Sequence, residues 1–307
     1  MCGSGMKTTM LAHDLLKAGT NEVMVAGGLE SMSNAPYILP KARSGQRLGH
    51  GQMMDHMFLD GLEDAFDKGT LMGVFAERTA KKYGFSREAQ DEFAIRSLTR
   101  AKKAIEDGSF DAEVTPVTYK NRQGEVTVEQ DEQPLTANLE KIPKLRPAFD
   151  KDGTVTAANS SSISDGAAAL VMMSESTAKK RGLKPIARFL GQSSFAQEPA
   201  WFTTAPVSAI RNLLETLGWN ADEVDLFEIN EAFAVVTMAA MKDLDLPADK
   251  VNVHGGACAL GHPVGASGTR ILVTLISALQ KYGKTRGVAS LCIGGGEATA
   301  MAVEVLS

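Results

Sequence analysis

Cysteine is scarce in this sequence, and long apolar runs are missing from it. Only three of the 307 residues are cysteine, and Cys2, Cys258 and Cys292 form neither a CxxC metal pattern nor a disulfide framework. No apolar run approaches the roughly 20 residues that a membrane-spanning helix needs. Residues 1–5 have no charged start and no apolar core, so they do not resemble a signal peptide. We therefore expect a protein of the reducing cytoplasm.

A strong excess of charge of either sign is also missing. The 32 basic and 37 acidic residues give a net charge of -5 and are mixed along the chain. This argues against a basic surface for nucleic acid or for an anionic membrane. Hydrophobic residues make up 44% of the chain, which is enough for a large core spread over about two domains.

Helical and strand-like patterns alternate at both ends of the chain, which favours an α/β fold. The apolar spacing over residues 4–18 predicts a helix closed by Gly19, and a strand is predicted over 22–26. This order favours a unit with a parallel sheet. Later the pattern recurs, with strands predicted over 185–190, 224–229, 251–253, 287–292 and 298–305 and helices over 207–217, 231–241 and 269–282. The likeness of the two ends indicates a duplicated fold whose first half is incomplete.

The middle of the chain has a different character. Proline and glycine interrupt its first part, and helices are then predicted over 73–82 and 86–107, the second capped by Ser86. Two strands around residues 121–124 predict a hairpin. We interpret this part as an inserted subdomain. An apolar run over 167–173 then predicts a buried strand that returns to the first sheet.

Cys2 is the first candidate catalytic residue. It lies at the predicted N-terminus of a helix, where backbone amides and the helix dipole stabilise negative charge. We therefore expect a lowered pKa and a larger thiolate fraction. Gly3 and Gly5 leave room for a ligand to approach the backbone. The alternative interpretation is a cysteine near a frayed terminus.

His262 lies in a stretch from Gly255 to Gly268 that is unusually rich in small residues and precedes a predicted helix. Small residues let a substrate lie close to the backbone, and a histidine can act as a base near neutral pH. The alternative is a capping or core histidine. The pattern favours the functional interpretation.

Cys292 ends an apolar strand just before the glycine run 294–296. Such a cysteine is usually structural, but a run of bare backbone N–H groups can bind an oxyanion. Asn230 follows another predicted strand and begins a predicted helix. It is either an N-cap or a side chain that holds a water in a site.

Four motifs in this order resemble the thiolase family and, within it, the acetyl-CoA acetyltransferases. Each motif is weak by itself, but four at this spacing are specific, and the likeness covers essentially the whole chain. The motifs are Cys2-Gly3-Ser4-Gly5, Asn230-Glu231-Ala232-Phe233, residues 261–268 (GHPVGASG) and residues 292–296 (CIGGG).

The resemblance implies a role for each motif. Cys2 resembles the nucleophile that becomes acylated, His262 the base that activates it, and Cys292 the second acid and base, which exchanges a proton with C2 of acetyl-CoA. The backbone N–H groups of Cys2 and Gly294 resemble one oxyanion hole. Asn230, through a water, and His262 resemble the other. Further positions resemble a substrate pocket, with Ser161 at the pantetheine arm and with Met72, Phe149 and Phe233.

The resemblance also implies the fold and the partners. We expect an α/β fold of the duplicated five-layered α-β-α-β-α type with an inserted loop subdomain and a truncated first half. The expected divisions are a remnant of the N-terminal half (1–34), an inserted loop and CoA-binding subdomain (35–165), a return to the N-terminal half (166–184) and a C-terminal half (185–307). The implied substrates are acetyl-CoA, acetoacetyl-CoA and CoA, with no metal and no other cofactor. A homodimer or homotetramer is implied.

Two departures from the family pattern keep alternatives open. The part that thiolases carry ahead of the nucleophile, roughly a further quarter of chain, is missing here, so an inactive truncated fragment is one alternative. Leu71 stands where many acetoacetyl-specific members have histidine, so a longer-chain degradative thiolase is another. A cysteine hydrolase would share Cys2 and His262 but would have no use for Cys292 beside a glycine run.

Overall fold

The structure is a computed structural model that describes residues 1–306. Its helices are α1 (Ser4–Lys17), α2 (Met72–Tyr83), α3 (Arg87–Glu106), α4 (Glu132–Thr136), α5 (Glu175–Lys180), α6 (Ala205–Leu217), α7 (Ala234–Asp243), α8 (Ala257–Leu260) and α9 (Val264–Lys281). Its strands are β1 (Val23–Ser31), β2 (Tyr37–Ile38), β3 (Met54–Asp55), β4 (Val117–Asn121), β5 (Gly124–Val128), β6 (Asp165–Met173), β7 (Ala187–Ala196), β8 (Leu226–Ile229), β9 (Arg286–Ile293) and β10 (Glu297–Val305).

Two sheets enclose the helix pair α1 and α9. The smaller sheet pairs β1 with β6, and the larger has the order β7-β10-β9-β8. Both helices contact the small sheet on one side and the large sheet on the other, while α6 covers the far face of the large sheet. Within residues 1–306 the layers are therefore sheet, helix pair, sheet and helix.

The prediction of a parallel sheet is wrong for most of these strands. β1 runs antiparallel to β6, and β10 runs antiparallel to both β7 and β9. Only β8 and β9 are parallel, and α9 lies between them in the chain. The tight turn between β9 and β10 forces the antiparallel pairing there, because so few residues cannot make a parallel crossover.

Close packing between the first turns of α1 and α9 positions the site. A methyl group placed on Gly268 would lie 2.2 Å from the backbone nitrogen of Met6, and one placed on Gly5 would lie 2.8 Å from that of Thr269. Only glycine permits this approach. Since Cys2 precedes α1 and His262 precedes α9, the two side chains are brought to the same place.

Several predicted elements differ from the observed ones at their ends. The helix predicted from residue 269 begins at Val264, because the glycines that suggest a loop there serve as contact points on the helix. The strand predicted over 251–253 is a single bridge between Val251 and Phe227. The helix over 86–107 and the 121–124 hairpin are observed, and Ser86 accepts a hydrogen bond from the Ala89 N–H.

The strand predicted as buried over 167–173 is β6, but it is not buried on both sides. Its residues alternate, with Ala167, Ala169 and Val171 exposed and the residues between them partly or fully covered. A continuous apolar run alone cannot distinguish a two-sided from a one-sided strand, which is why this prediction is wrong.

His254 is a buried side chain beside the site-forming loop. It is 1% exposed and lies between the rings of Phe110 and Tyr282, each with its centroid 5.6 Å away. Neither ring nitrogen has a hydrogen-bond partner among residues 1–306. Burial, and next the charge of Lys281, lower its pKa to about 4, against a small opposite effect of Asp107.

His254 should therefore make the protein sensitive to acid. The unfolded chain binds a proton at this residue near pH 6.5, whereas the folded protein binds it only near pH 4, so stability is lost as the pH falls through this window. His254→Phe should fill the space between the two rings. It should also remove the fall of about 3 kcal/mol in unfolding free energy that His254 causes between pH 6.5 and pH 4. Urea unfolding at several pH values between 7 and 4 measures it, and parallel curves for the two proteins would contradict the assignment.

Candidate active site

One cavity of about 370 Å³ brings together residues from both ends of the chain. Its wall includes Cys2, His262, Cys292 and Gly294. It also includes the four predicted substrate-binding residues, Met72, Phe149, Ser161 and Phe233. The spatial convergence expected from the four motifs is therefore present, while the chemical role of each residue remains a prediction.

Cys2 lies one residue before the N-cap of α1, as the helix prediction required. Its expected low pKa is wrong, since burial raises the pKa of the thiol above its ordinary value. The backbone N–H of Gly294 acts to lower the pKa, but it does not outweigh desolvation. The resting group is a thiol, and a base must remove its proton before it can act as a nucleophile.

His262 has the geometry of a neutral base. Its Nδ1 lies 2.5 Å from the hydroxyl of Ser267, and that hydroxyl donates to the carbonyl of Pro263 at 3.0 Å. Because the hydroxyl proton is used on this carbonyl, the oxygen accepts from Nδ1–H, and Nε2 keeps its lone pair. Burial, and next the charge of Arg270, lower the pKa of His262 to about 3, so the ring is neutral near pH 7.

Asn230 lies behind the histidine. Its Nδ2 is 3.4 Å from Nδ1 and 3.5 Å from Nε2 of His262, and its Oδ1 is buried without a partner among residues 1–306. The N-cap interpretation is wrong, because α7 begins at Ala234 and its N-cap is Phe233. The residue instead directly follows β8, and its backbone N–H donates to the carbonyl of Ser290 in β9 at 3.0 Å.

Cys292 and Gly294 approach Cys2 from the end of β9. Cys292 is 1% exposed, and its pKa is raised first by burial and second by the neighbouring Cys2. Gly295 and Gly296 have φ angles of 100° and 99°, which other residues rarely adopt. This turn places Gly294 on the same cavity wall as Cys2, and its backbone N–H acts to lower the pKa of that thiol.

The remaining wall of the cavity is mostly apolar. The rings of Phe149 and Phe233 meet edge to face with centroids 6.0 Å apart. Phe149 also lies over Gly73, where an added methyl group would come within 2.3 Å of the ring. The Ser161 N–H donates to Ala232 at 3.0 Å, which aligns the serine segment with the segment that carries Asn230.

Sequence reasoning missed a further part of the wall. Additional lining residues are Met32, Phe58, Leu62, Leu71, Ile163, Phe202 and Val264. Most lie in loops or in 3-10 and π turns too short to show a helical or strand period that would indicate which side chains face inward. Leu71, noticed only as a departure from the family pattern, borders the cavity beside Met72.

Two features are absent from residues 1–306. No helix there is long and apolar enough to span a membrane. No group of three or more histidine, cysteine, aspartate or glutamate side chains in this part is arranged to hold a metal ion.

The chain belongs to the thiolase family. The family model for the thiolase N-terminal domain matches residues 1–176, and the model for the thiolase C-terminal domain matches residues 183–305. The boundary between the two models lies close to the expected start of the C-terminal half. The finer division of the first half at residues 34 and 165 stays a prediction.

Two relatives with similar sequences are both acetyl-CoA acetyltransferases. The chain is 50% identical to the acetyl-CoA acetyltransferase of Escherichia coli (strain K12) over 309 residues, which is 100% of this chain and 78% of that protein. It is 48% identical to the cytosolic acetyl-CoA acetyltransferase of Mus musculus over 307 residues, 99% of this chain and 77% of that one.

Solved structures agree with these relatives. The Bacillus anthracis acetyl-CoA acetyltransferase superimposes with a TM-score of 0.96 at 46% identity, over 99% of this chain and 77% of that one. The Ascaris suum thiolase, solved in complex with coenzyme A, gives 0.92 at 43% identity, over 99% and 78%. The predicted family and fold are confirmed.

Proposed function

We propose that this chain is an acyltransferase that cleaves 3-ketoacyl-CoA with CoA and, in reverse, condenses two acetyl-CoA to acetoacetyl-CoA through an acyl group on Cys2. The observation that carries the proposal is the cavity that Cys2, His262, Cys292 and Gly294 share. The names of the relatives, acetyl-CoA acetyltransferases at 48–50% identity, support it.

Cleavage begins with proton transfer from the Cys2 thiol to Nε2 of His262. The thiolate adds to C3 of acetoacetyl-CoA, and the backbone N–H groups of Cys2 and Gly294 stabilise the oxygen that becomes negative. The C2–C3 bond then breaks, and its electron pair leaves on the acetyl-CoA enolate. C2 takes a proton from Cys292, which leaves a thiolate there, and acetyl-CoA departs.

The second half returns every group to its starting state. The thiol of free CoA gives its proton to the Cys292 thiolate and attacks the acetyl group on Cys2. The acetyl–sulfur bond to Cys2 breaks, and the Cys2 thiolate takes back the proton held by His262. The sum is acetoacetyl-CoA plus CoA giving two acetyl-CoA, and condensation is the same path in reverse.

The enolate oxygen has its own site in this scheme. Once His262 has taken the Cys2 proton, Nε2–H can donate to that oxygen, while Asn230 supports it through a water. The resting site holds a neutral imidazole and a protonated Cys292, a base and an acid as this step requires.

The proposed substrates are thioesters of CoA, and no further cofactor takes part. Ser161 lies on the cavity wall, where a pantetheine arm would pass, and Met72, Phe149 and Phe233 enclose the acyl group. We also propose a cytoplasmic location and a homodimer or homotetramer. The three free cysteines, of which two are buried, are compatible with a reducing compartment.

The preferred length of the acyl chain distinguishes a short-chain acetoacetyl-CoA thiolase from a longer-chain one. Leu71 on the wall makes the pocket more apolar than a histidine would, and this favours the longer-chain alternative. We nevertheless expect acetoacetyl-CoA to be cleaved roughly tenfold faster than 3-ketooctanoyl-CoA at equal concentrations of CoA. The loss of absorbance of each 3-ketoacyl-CoA enolate measures the rate. Faster cleavage of the longer substrate would replace the short-chain proposal, and no turnover of either would favour the inactive fragment.

A further inference from the structure

Glu231 is a buried carboxylate next to Asn230 that the reaction above does not use. It is 1% exposed, and three donors from other parts of the chain meet it. Its Oε2 accepts from the Ser97 hydroxyl at 2.7 Å and from the Cys258 N–H at 3.1 Å, and its Oε1 accepts from the Asn252 amide at 2.8 Å.

These donors connect Glu231 to the segment that carries His262. Cys258 lies in the first turn of α8, and α8 leads through Gly261, with a φ of 89°, directly to the histidine. Asn252 binds the same strand end a second time, since its side chain pairs with both the N–H and the carbonyl of Ile229 at 2.8 Å. One carboxylate therefore joins the Asn230 segment to the His262 segment.

The fit around this carboxylate is tight. A methyl group placed on Gly256 would lie 2.4 Å from its carboxyl carbon, so the loop backbone packs directly against it. The Ser97 hydroxyl, which donates to Glu231, accepts from the Gly256 N–H at 3.0 Å and anchors the loop to α3 as well. If glutamine replaced Glu231, its NH₂ group would face the N–H or O–H of at least one of these partners, and two donors would meet without an acceptor.

We propose that Glu231 is a positioning residue that sets the separation of Asn230 and His262, the two groups that would hold the enolate oxygen. This inference rests on the proposed function. The Asn230 amide is 3.4–3.5 Å from the imidazole nitrogens of His262. Asn230 directly precedes Glu231 in the chain, and His262 lies four residues after Cys258, whose N–H donates to Glu231. A shift of either segment widens the site for the enolate and leaves the acyl cysteine site, built from α1 and β9, in place.

Glu231→Gln tests the proposal, with Glu228→Gln as the matched control. Glu228 lies in β8, three residues before Glu231, and is 2% exposed, but its nearest cation is Arg270 at 3.8 Å, and its side chain has no hydrogen bond to residues 252–258. We expect Glu231→Gln to lower kcat for acetoacetyl-CoA cleavage about 100-fold, with KM within about twofold. Exchange of the acetyl-CoA methyl protons with deuterated water should fall equally. Glu228→Gln should keep kcat within about threefold.

Acetylation of Cys2 separates positioning from damage to the fold. The fraction of Glu231→Gln that carries an acetyl group at saturating acetyl-CoA should stay at the wild-type level. A parallel loss of acetylated fraction and kcat, or an equal loss of kcat in Glu228→Gln, would overturn the inference. Ser97→Ala, which removes one of the three donors, should lower kcat about tenfold with full acetylation and serves if Glu231→Gln does not fold. A wild-type protein that does not cleave acetoacetyl-CoA would instead refute the proposed function.

Discussion

Cys2→Ala is expected to abolish turnover, with a fall in kcat for acetoacetyl-CoA cleavage of about 10⁵-fold or more. The change removes the thiol that shares the cavity with His262, Cys292 and Gly294. Without it no acyl intermediate forms, and the two half-reactions have no common species. The pocket stays intact, so binding of CoA thioesters should change little.

Peptide mass analysis after mixing with acetyl-CoA gives the direct measurement. The wild-type protein should carry one acetyl group on the peptide that contains Cys2, and Cys2→Ala should carry none. Cys258→Ala is the matched control, because it removes a buried thiol that does not border the cavity and should keep the acetylated peptide. An acetyl group found on Cys292 in the wild-type protein would contradict the assignment of the nucleophile.

Cys292→Ala should separate the two halves of the reaction. Cleavage and condensation are expected to fall about 10³–10⁴-fold, because no acid or base then serves C2 of acetyl-CoA. Acetylation of Cys2 by acetyl-CoA should stay within about threefold of the wild-type rate, since the attack needs Cys2, His262 and the oxyanion hole at Gly294, and without Cys292 the departing CoA thiolate can take the proton that His262 received from Cys2.

Rapid quenching with radiolabelled acetyl-CoA measures the acetylation half, and a coupled assay measures the whole reaction. Cys258→Ala again controls for loss of a buried thiol. A cysteine hydrolase would show unchanged turnover when Cys292 is replaced. Loss of acetylation together with turnover would show that the two cysteines do not divide the work as proposed.

Much of the site could be predicted from sequence because its residues occur in short motifs around fixed turns. The glycines beside Cys2, His262 and Cys292 mark places where backbone and ligand come close, and the structure places all three residues on one cavity. The helix after Cys2 and the hairpin near residue 122 were also predictable, since local period and turn chemistry determine them.

The errors concern properties that depend on distant parts of the chain. The pKa of Cys2 is set mainly by desolvation, which no local pattern reveals, so its place at a helix terminus does not predict the direction of the shift. Strand direction in the small sheet depends on how β6 returns after the inserted segment. Phe58 and Phe202 border the cavity from short π and 3-10 turns, where sequence spacing carries no directional signal.

The glycine contact between α1 and α9 has a consequence for how substrate range can diverge. The distance from nucleophile to base is set by two helices that touch at Gly5 and Gly268, where an added methyl group would clash with the backbone of the facing helix. The wall that faces the acyl group, by contrast, is built from segments outside this helix pair, including residues 58–73. Substitutions in that wall can retune which acyl chains fit while the bond-making machinery keeps its dimensions.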